Sequence, residues 1–241
     1  MSGILMWDIR LQNLIANSLN IIQLNFTMYH YSMKNIYRVK LIRLVGMMLV
    51  VYVNETHKEF VSNVDAEHVG TGIMGKLGNK GGVAVRFDFH NTSICFVNSH
   101  LAAHVSEVER RNQDYQEICN RMVFQNFIPA KAIKDHDMVY WVGDLNYRIM
   151  DLDAASVKEI IATRDLSDLF SHDQFKQQRH QRKIFNGYTE HEITFPPTYK
   201  FDPGTDDWDT SEKARAPAWT DRILWKGKHI EQKTYRYICY N

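Results

Sequence analysis

Cysteine is scarce in this sequence and poorly placed for structural use. Cys95, Cys119 and Cys239 are an odd number and lie far apart. That excludes a disulfide-stapled scaffold and any Cys-x-x-Cys metal spacing, and it points to a reducing, intracellular compartment. Proline and glycine are also few, 5 and 12 of 241 residues, and neither gathers into a linker or a low-complexity tract. No internal repeat occurs. The longest apolar run, residues 44–53, is interrupted by Gly46 and is far short of the ~20 residues that a membrane-spanning helix needs. Residues 1–26 are rich in apolar side chains but carry Asp8 and Arg10 and have no basic start or small-residue cleavage site, so they do not read as a secretory signal. The Asn-x-Ser/Thr triplets at Asn25, Asn54 and Asn91 are then chance matches. Net charge is lacking too. Against 29 Lys and Arg stand 28 Asp and Glu, leaving +1. No global field draws the chain to nucleic acid or membrane, so any anion site must be a local cluster.

What the sequence does have is enough apolar material, 44% of residues, for one globular domain with a substantial core. Leu11, Leu14, Ile15, Leu19 and Ile22 recur at helical spacing and predict an amphipathic helix. Residues 39–53 predict one strand. Residues 83–89 and 93–97 predict two strands joined by a short turn, a hairpin. Ser106-Glu-Val-Glu109 has the form of a capping box, predicting a helix to about residue 125 with Val108, Tyr115, Ile118 and Met122 on one face. Residues 138–142 predict a buried strand, 153–163 and 166–178 two helices, and 222–225 a last strand. Helices and hairpins mixed in this way predict an α/β domain with helices covering sheets.

Candidate functional residues stand where apolar strands stop. Trp-Val-Gly-Asp-Leu-Asn-Tyr-Arg (141–148) ends a strand in Asp144 and Asn146. Residues two apart on a strand face the same way, so a carboxylate and an amide could share a pocket, orient a water and hold a phosphoryl oxygen. The competing reading is an Asp-x-Asn turn that only caps the strand. A second strand runs into Asn98, Ser99 and His100, and His104 follows just before a helix. Lys213, Arg215, Asp221 and Arg222 lie around a Pro-Ala-Trp bend, and Tyr199 and Lys200 follow a proline pair. Arg grips phosphate bidentately and Lys adds a point charge; the plain alternative for Asp221 and Arg222 is a surface ion pair of little energy. The glycine-rich stretch 70–82 contributes Lys76 and Lys80 and lacks the Gly-Lys-Ser/Thr ending of a Walker A loop. Together these residues describe an anion site ringed by cations, suited to phosphate-ester hydrolysis with a hard, oxygen-liganded cation.

Gly-Asp-Leu-Asn-Tyr-Arg (143–148) and Pro-Ala-Trp-Thr-Asp-Arg-Ile-Leu (217–224) resemble the two signature motifs of the inositol polyphosphate 5-phosphatases. Residues 98–104, 78–83 and 197–200 match in the same order, and the likeness, closest to the type II subgroup, covers about 39–230. The resemblance implies a four-layer α/β sandwich of the endonuclease/exonuclease/phosphatase superfamily. It implies Mg2+ as cofactor and phosphatidylinositol 4,5-bisphosphate, related lipids and soluble inositol phosphates as substrates, met at a peripheral membrane surface, with no nucleic acid partner. Carried over by motif, Asp144 would orient the attacking water, and Asn146 and His100 would hold the scissile phosphate. Asp221 and Arg222 would complete the catalytic set. Tyr199, Lys200, Lys213 and Arg215 would grip the neighbouring 4-phosphate, with Asn98 and Lys80 also on the substrate. The same likeness implies an early Trp-Asn-Val-Asn strand, a metal-binding Glu after it and a late Asp-His pair, none of which is found in this sequence. Residues 1–35 are therefore expected to be a divergent segment and 36–241 a partial phosphatase domain, incomplete at its first and last strands, with little or no phosphate release. Two alternatives remain open, a phosphoinositide- or partner-binding module without turnover and a nuclease of the same superfamily.

Overall fold

The computed structural model describes residues 4–11, 35–72, 78–228 and 230–238. A five-stranded mixed sheet forms its centre. In chain order its strands are β4 (Val61–Gly70), β5 (Gly81–Phe89), β6 (Thr92–His100), β9 (Met138–Asp144) and β10 (Asp221–Gly227), arranged β10-β9-β6-β5-β4. Only the β6–β9 pair is parallel. Between those two strands the chain makes α1 (Val108–Arg121), the crossover that a parallel pair requires, and the short β7 (Val123–Phe124) and β8 (Lys131–Ala132). The other neighbours are antiparallel.

Strict alternation in the central strands sorts their side chains onto two faces. Val83, Val85, Phe87, Phe89, Ile94, Phe96, Met138, Tyr140, Ile223 and Trp225 enter one core, and Ala84, Cys95, Val97, Val139, Trp141 and Leu224 enter the other. The first core is covered by the hairpin of β2 (Ile36–Leu44) and β3 (Met47–Asn54), through Leu49, Val51 and Val53, and by α2 (Ala154–Thr163) and α3 (Ser167–Ser171), through Val157 and Leu169. The second is covered by Tyr115 and Ile118 of α1, by Met122 just after it, and by Phe175 of α4 (Gln174–His180). Strands with helices on both sides make this an α/β sandwich. A separate antiparallel ribbon pairs β1 (Ile4–Leu11) with β11 (Ile230–Ile238).

Several sequence expectations are corrected. Residues 39–53 are not one strand but most of the β2–β3 hairpin, because Gly46, at φ +78°, turns the chain inside the apolar run. α1 begins at Val108 without a side-chain cap, since the Ser106 hydroxyl reaches Glu107 instead, and it stops at Arg121, short of residue 125. The helix expected over 166–178 is two, α3 and α4, separated where Asp173 turns its carboxylate onto the Phe175 backbone N–H and caps a new start. Leu11 closes β1, and the rest of the helix predicted from it lies outside the described residues, as does Lys76. Gly70, Gly72 and Gly75 carry the spacing of a dinucleotide fingerprint, but the element after them is the antiparallel strand β5. Among the described residues no helix follows that stretch before β5, whereas a dinucleotide fingerprint opens a helix.

Candidate functional site

Register brings the candidates to one end of the sheet. Gly81 pairs with His100, His100 with Asp144, and Asp144 with Asp221. Four neighbouring strands therefore finish in one row, with Lys80 just before Gly81. The close approach of β6 and β9 there depends on Gly143, at φ +129°: a Cβ at that position would lie 2.1 Å from the Ser99 carbonyl oxygen and 2.6 Å from Asn98 Oδ1. Beneath the row, Trp141 Nε1 donates to Ser99 Oγ at 2.9 Å.

His100 Nε2 lies 2.5 Å from Lys80 Nζ and 3.3 Å from Asp144 Oδ2. Burial lowers the Lys80 ammonium below its ordinary value, and the nearby Asp144 charge opposes that shift. Asp221 is raised to about 7, first by burial and then by the like charge of Asp144. A carboxyl group that exchanges its proton near neutrality, within reach of the His100 imidazole and Arg148 charges, can hold or pass a proton and orient a water against an anion. Among the described residues no group of three or more His, Cys, Asp or Glu gathers as metal ligands would.

Asn146 does not share a strand face with Asp144, because β9 ends at Asp144 and Asn146 takes φ +57°. Its backbone N–H donates to Asp144 Oδ1 at 3.1 Å, and its side-chain amide donates to the Leu101 carbonyl at 3.0 Å and accepts from Arg148. It thus holds Asp144 and the loop after His100 in place. Arg148 lies over the Tyr199 ring at 4.4 Å, which joins the Tyr199–Lys200 segment to the Asp144 arm.

Lys200 and Arg215 are brought together by a residue the sequence did not single out. Asp209 is 2% exposed, 3.1 Å from Arg215 Nη1 and 3.8 Å from Lys200 Nζ, and it accepts the Arg215 backbone N–H at 3.1 Å. Bonds from Ser211 and Arg215 hold its carboxyl well below the usual range, against the opposing effect of burial. Lys213 lies on the exposed turn between Asp209 and Arg215. Asn98 donates to the Met48 carbonyl at 3.0 Å and ties the β2–β3 hairpin to the functional end. His104, at φ +72°, gives its carbonyl to Arg111.

Arg222 does not join the row. Strand alternation turns it away from the side Asp221 faces and into the interior, 1% exposed. There it pairs with Asp173, lies 3.4 Å from Glu190, and donates from Nε to the Trp219 carbonyl at 2.7 Å. Burial alone would lower its pKa, but the two carboxylates outweigh that and raise it. Its part in the site is to anchor the bend that delivers Asp221.

The sequence model of "Endonuclease/Exonuclease/phosphatase family 2" matches residues 6–241. The type II inositol 1,4,5-trisphosphate 5-phosphatase of Mus musculus is 59% identical over 202 residues, which is 83% of this chain and 20% of that protein. The chain thus spans about a fifth of the length of that relative. Among solved structures, the inositol polyphosphate 5-phosphatase domain of a synaptojanin, in complex with inositol (1,4)-bisphosphate and a calcium ion, is 44% identical with a TM-score of 0.75, covering 80% of this chain and 55% of that one. A Cimex nitrophorin, solved as a ferrous nitric oxide complex, shares the fold at 29% identity and TM-score 0.63, with 80% and 64% covered, so the fold alone does not fix the chemistry. By the match along nearly its whole length, the chain belongs to the endonuclease/exonuclease/phosphatase family, and its relatives there include inositol polyphosphate 5-phosphatases.

Proposed function

We propose that this chain carries the headgroup site of a phosphomonoester hydrolase that removes the 5-phosphate from inositol polyphosphates and from phosphatidylinositol 4,5-bisphosphate. The observation that supports it is the row of His100, Asp144 and Asp221 in matched register, linked through Asn146, Arg148 and Tyr199 to the Lys200–Asp209–Arg215 group. Two anion-binding centres joined by a short chain of contacts suit a ring bearing neighbouring phosphates better than a nucleic acid backbone. In this reading Lys80 and His100 bind the scissile phosphate and Asp144 orients the water for in-line attack. Asp221 exchanges the proton, and Lys200, Arg215 and Lys213 hold the 4-phosphate. Mg2+ belongs to the proposal as the expected cofactor, supported by the calcium and inositol (1,4)-bisphosphate of the synaptojanin structure. A membrane-borne substrate is supported by Val45, 71% exposed at the tip of the β2–β3 hairpin beside Arg43, at the functional end of the sheet.

The fold's use by a nitrophorin favours a second reading, a module that binds inositol phosphates without turnover. Phosphate release from inositol 1,4,5-trisphosphate and from vesicles of the 4,5-bisphosphate lipid, with Mg2+ or with chelator, separates the two when run beside calorimetric binding of inositol (1,4)-bisphosphate. Mg2+-dependent release supports the hydrolase. Binding without release supports the module and the low turnover expected from the sequence. Failure of both binding and release removes both readings.

A further inference from the structure

Three loops carry the residues of the functional row, and all three close on two consecutive residues at the start of α4. The first, 101–105, follows His100; the second, 145–149, follows Asp144; the third, Trp219 and Thr220, precedes Asp221. Gln174 is 2% exposed and Asp173 1%. Gln174 Oε1 accepts from Arg111 Nη2 at 2.7 Å and from the Arg148 backbone N–H at 2.9 Å. Its Nε2 donates to the Val105 carbonyl at 3.0 Å, and its backbone N–H donates to the Arg148 carbonyl at 3.0 Å. Arg111, wholly buried, also donates from Nη1 and Nη2 to the carbonyls of Ala102, His104 and Val105. Asp173 accepts from Arg222, which holds the Trp219 carbonyl.

We infer that Gln174, with Asp173, is the positioning residue of this site: it sets the separations among His100, Asp144 and Asp221 without meeting the substrate. The inference rests on the functional reading above for its consequence and on these bonds for its geometry. The residue type suits the task. An amide offers an acceptor for two donors and a donor for a carbonyl at the same time, and it is neutral, so it adds no charge near the Asp144–Asp221 pair. Glutamate at this position would keep both acceptor bonds and lose the one to Val105. Leucine would lose all three and leave Arg111 and the Arg148 N–H short of an acceptor.

The test compares Gln174→Leu and Gln174→Glu with Val157→Ala, a buried apolar substitution on α2 that weakens the fold without removing any of these hydrogen bonds. Three quantities are read: thermal stability, calorimetric affinity for inositol (1,4)-bisphosphate, and the His100 ring resonances at one fixed pH, assigned with His100→Gln. Q174L is expected to bind about tenfold more weakly and to shift and broaden the His100 signals. Q174E should recover part of the affinity. V157A should lower stability while leaving affinity and His100 unchanged. A Q174L protein that loses stability yet keeps both affinity and His100 signals overturns the inference. If Q174L does not fold, Q174E gives the same readouts, and unchanged His100 signals there overturn it as well. If the unaltered protein binds no bisphosphate, the functional reading fails, while the His100 resonances still decide the positioning role.

Discussion

At the scale of single residues, the Asp221 carboxyl gives the sharpest expectation. Its native pKa of about 7 is raised above the ordinary carboxyl value. The folded protein therefore keeps a proton that the unfolded chain has already released near pH 4. Its contribution to stability is full below that value and is lost as pH rises through 7. Thermal unfolding should show a melting temperature that falls between pH 5 and pH 8, and Asp221→Asn should flatten that fall. Asp144→Asn removes the neighbouring like charge and should move the Asp221 midpoint down, as a difference titration would read. An Asp221→Asn profile as steep as that of the unaltered protein would break the assignment. Arg215→Ala leaves Asp209 with one cation, and that a distant one. It should weaken inositol (1,4)-bisphosphate binding about tenfold while affecting inositol 1-phosphate less, because the proposed function gives Arg215, paired with Asp209, the second phosphate.

At the scale of elements, two joints carry the site. The β6–β9 contact allows no Cβ at residue 143. Gly143→Ala should therefore cost about 3 kcal/mol, in the range of severe core changes, a drop of roughly 6–12 °C for a domain of this size. Arg222 is the other joint. Its removal leaves Asp173 and Glu190 as buried carboxylates without their main partner, a loss of about 3–5 kcal/mol. Arg222→Met should thus reduce soluble folded protein far more than Lys213→Ala, and Asp173→Asn added to it should recover part of the loss. The strands that carry these joints were legible in the sequence because full burial writes itself as apolar runs, as in β5, β6 and β9. β4 was not, because Val-Ser-Asn-Val-Asp-Ala-Glu-His-Val-Gly lies at the sheet edge and pairs on one side only. The α3–α4 break was hidden because apolar spacing continues across it, while the cause, the polar attachments of Asp173 and Gln174, is long-range. Arg222 was misplaced for a similar reason: its motif partner Asp221 faces the row, and alternation sends the next residue the other way.

At the scale of the whole molecule, the near-zero net charge has a consequence for how the functional end meets its substrate. No long-range field orients the chain toward an anionic surface, so the membrane-borne substrate of the proposed function would be met through local contacts. Arg38, Lys40 and Arg43 are exposed on β2, and Val45 projects at the tip that follows. The site was legible in the sequence only as separate clusters; register brings them to one end, and the Asn98 bond to Met48 fixes the hairpin tip at that same end. A tip inserted in the lipid headgroup region would face the functional row to the surface. Val45→Asp replaces apolar burial worth about 1.5–3 kcal/mol when complete with a charge repelled by anionic lipid. It should lower binding to vesicles containing the 4,5-bisphosphate lipid roughly tenfold and leave calorimetric binding of soluble inositol (1,4)-bisphosphate unchanged, since Val45 is not part of the proposed headgroup site. An equal loss on both ligands would mean that the hairpin supports the site itself and that the surface meets the protein elsewhere.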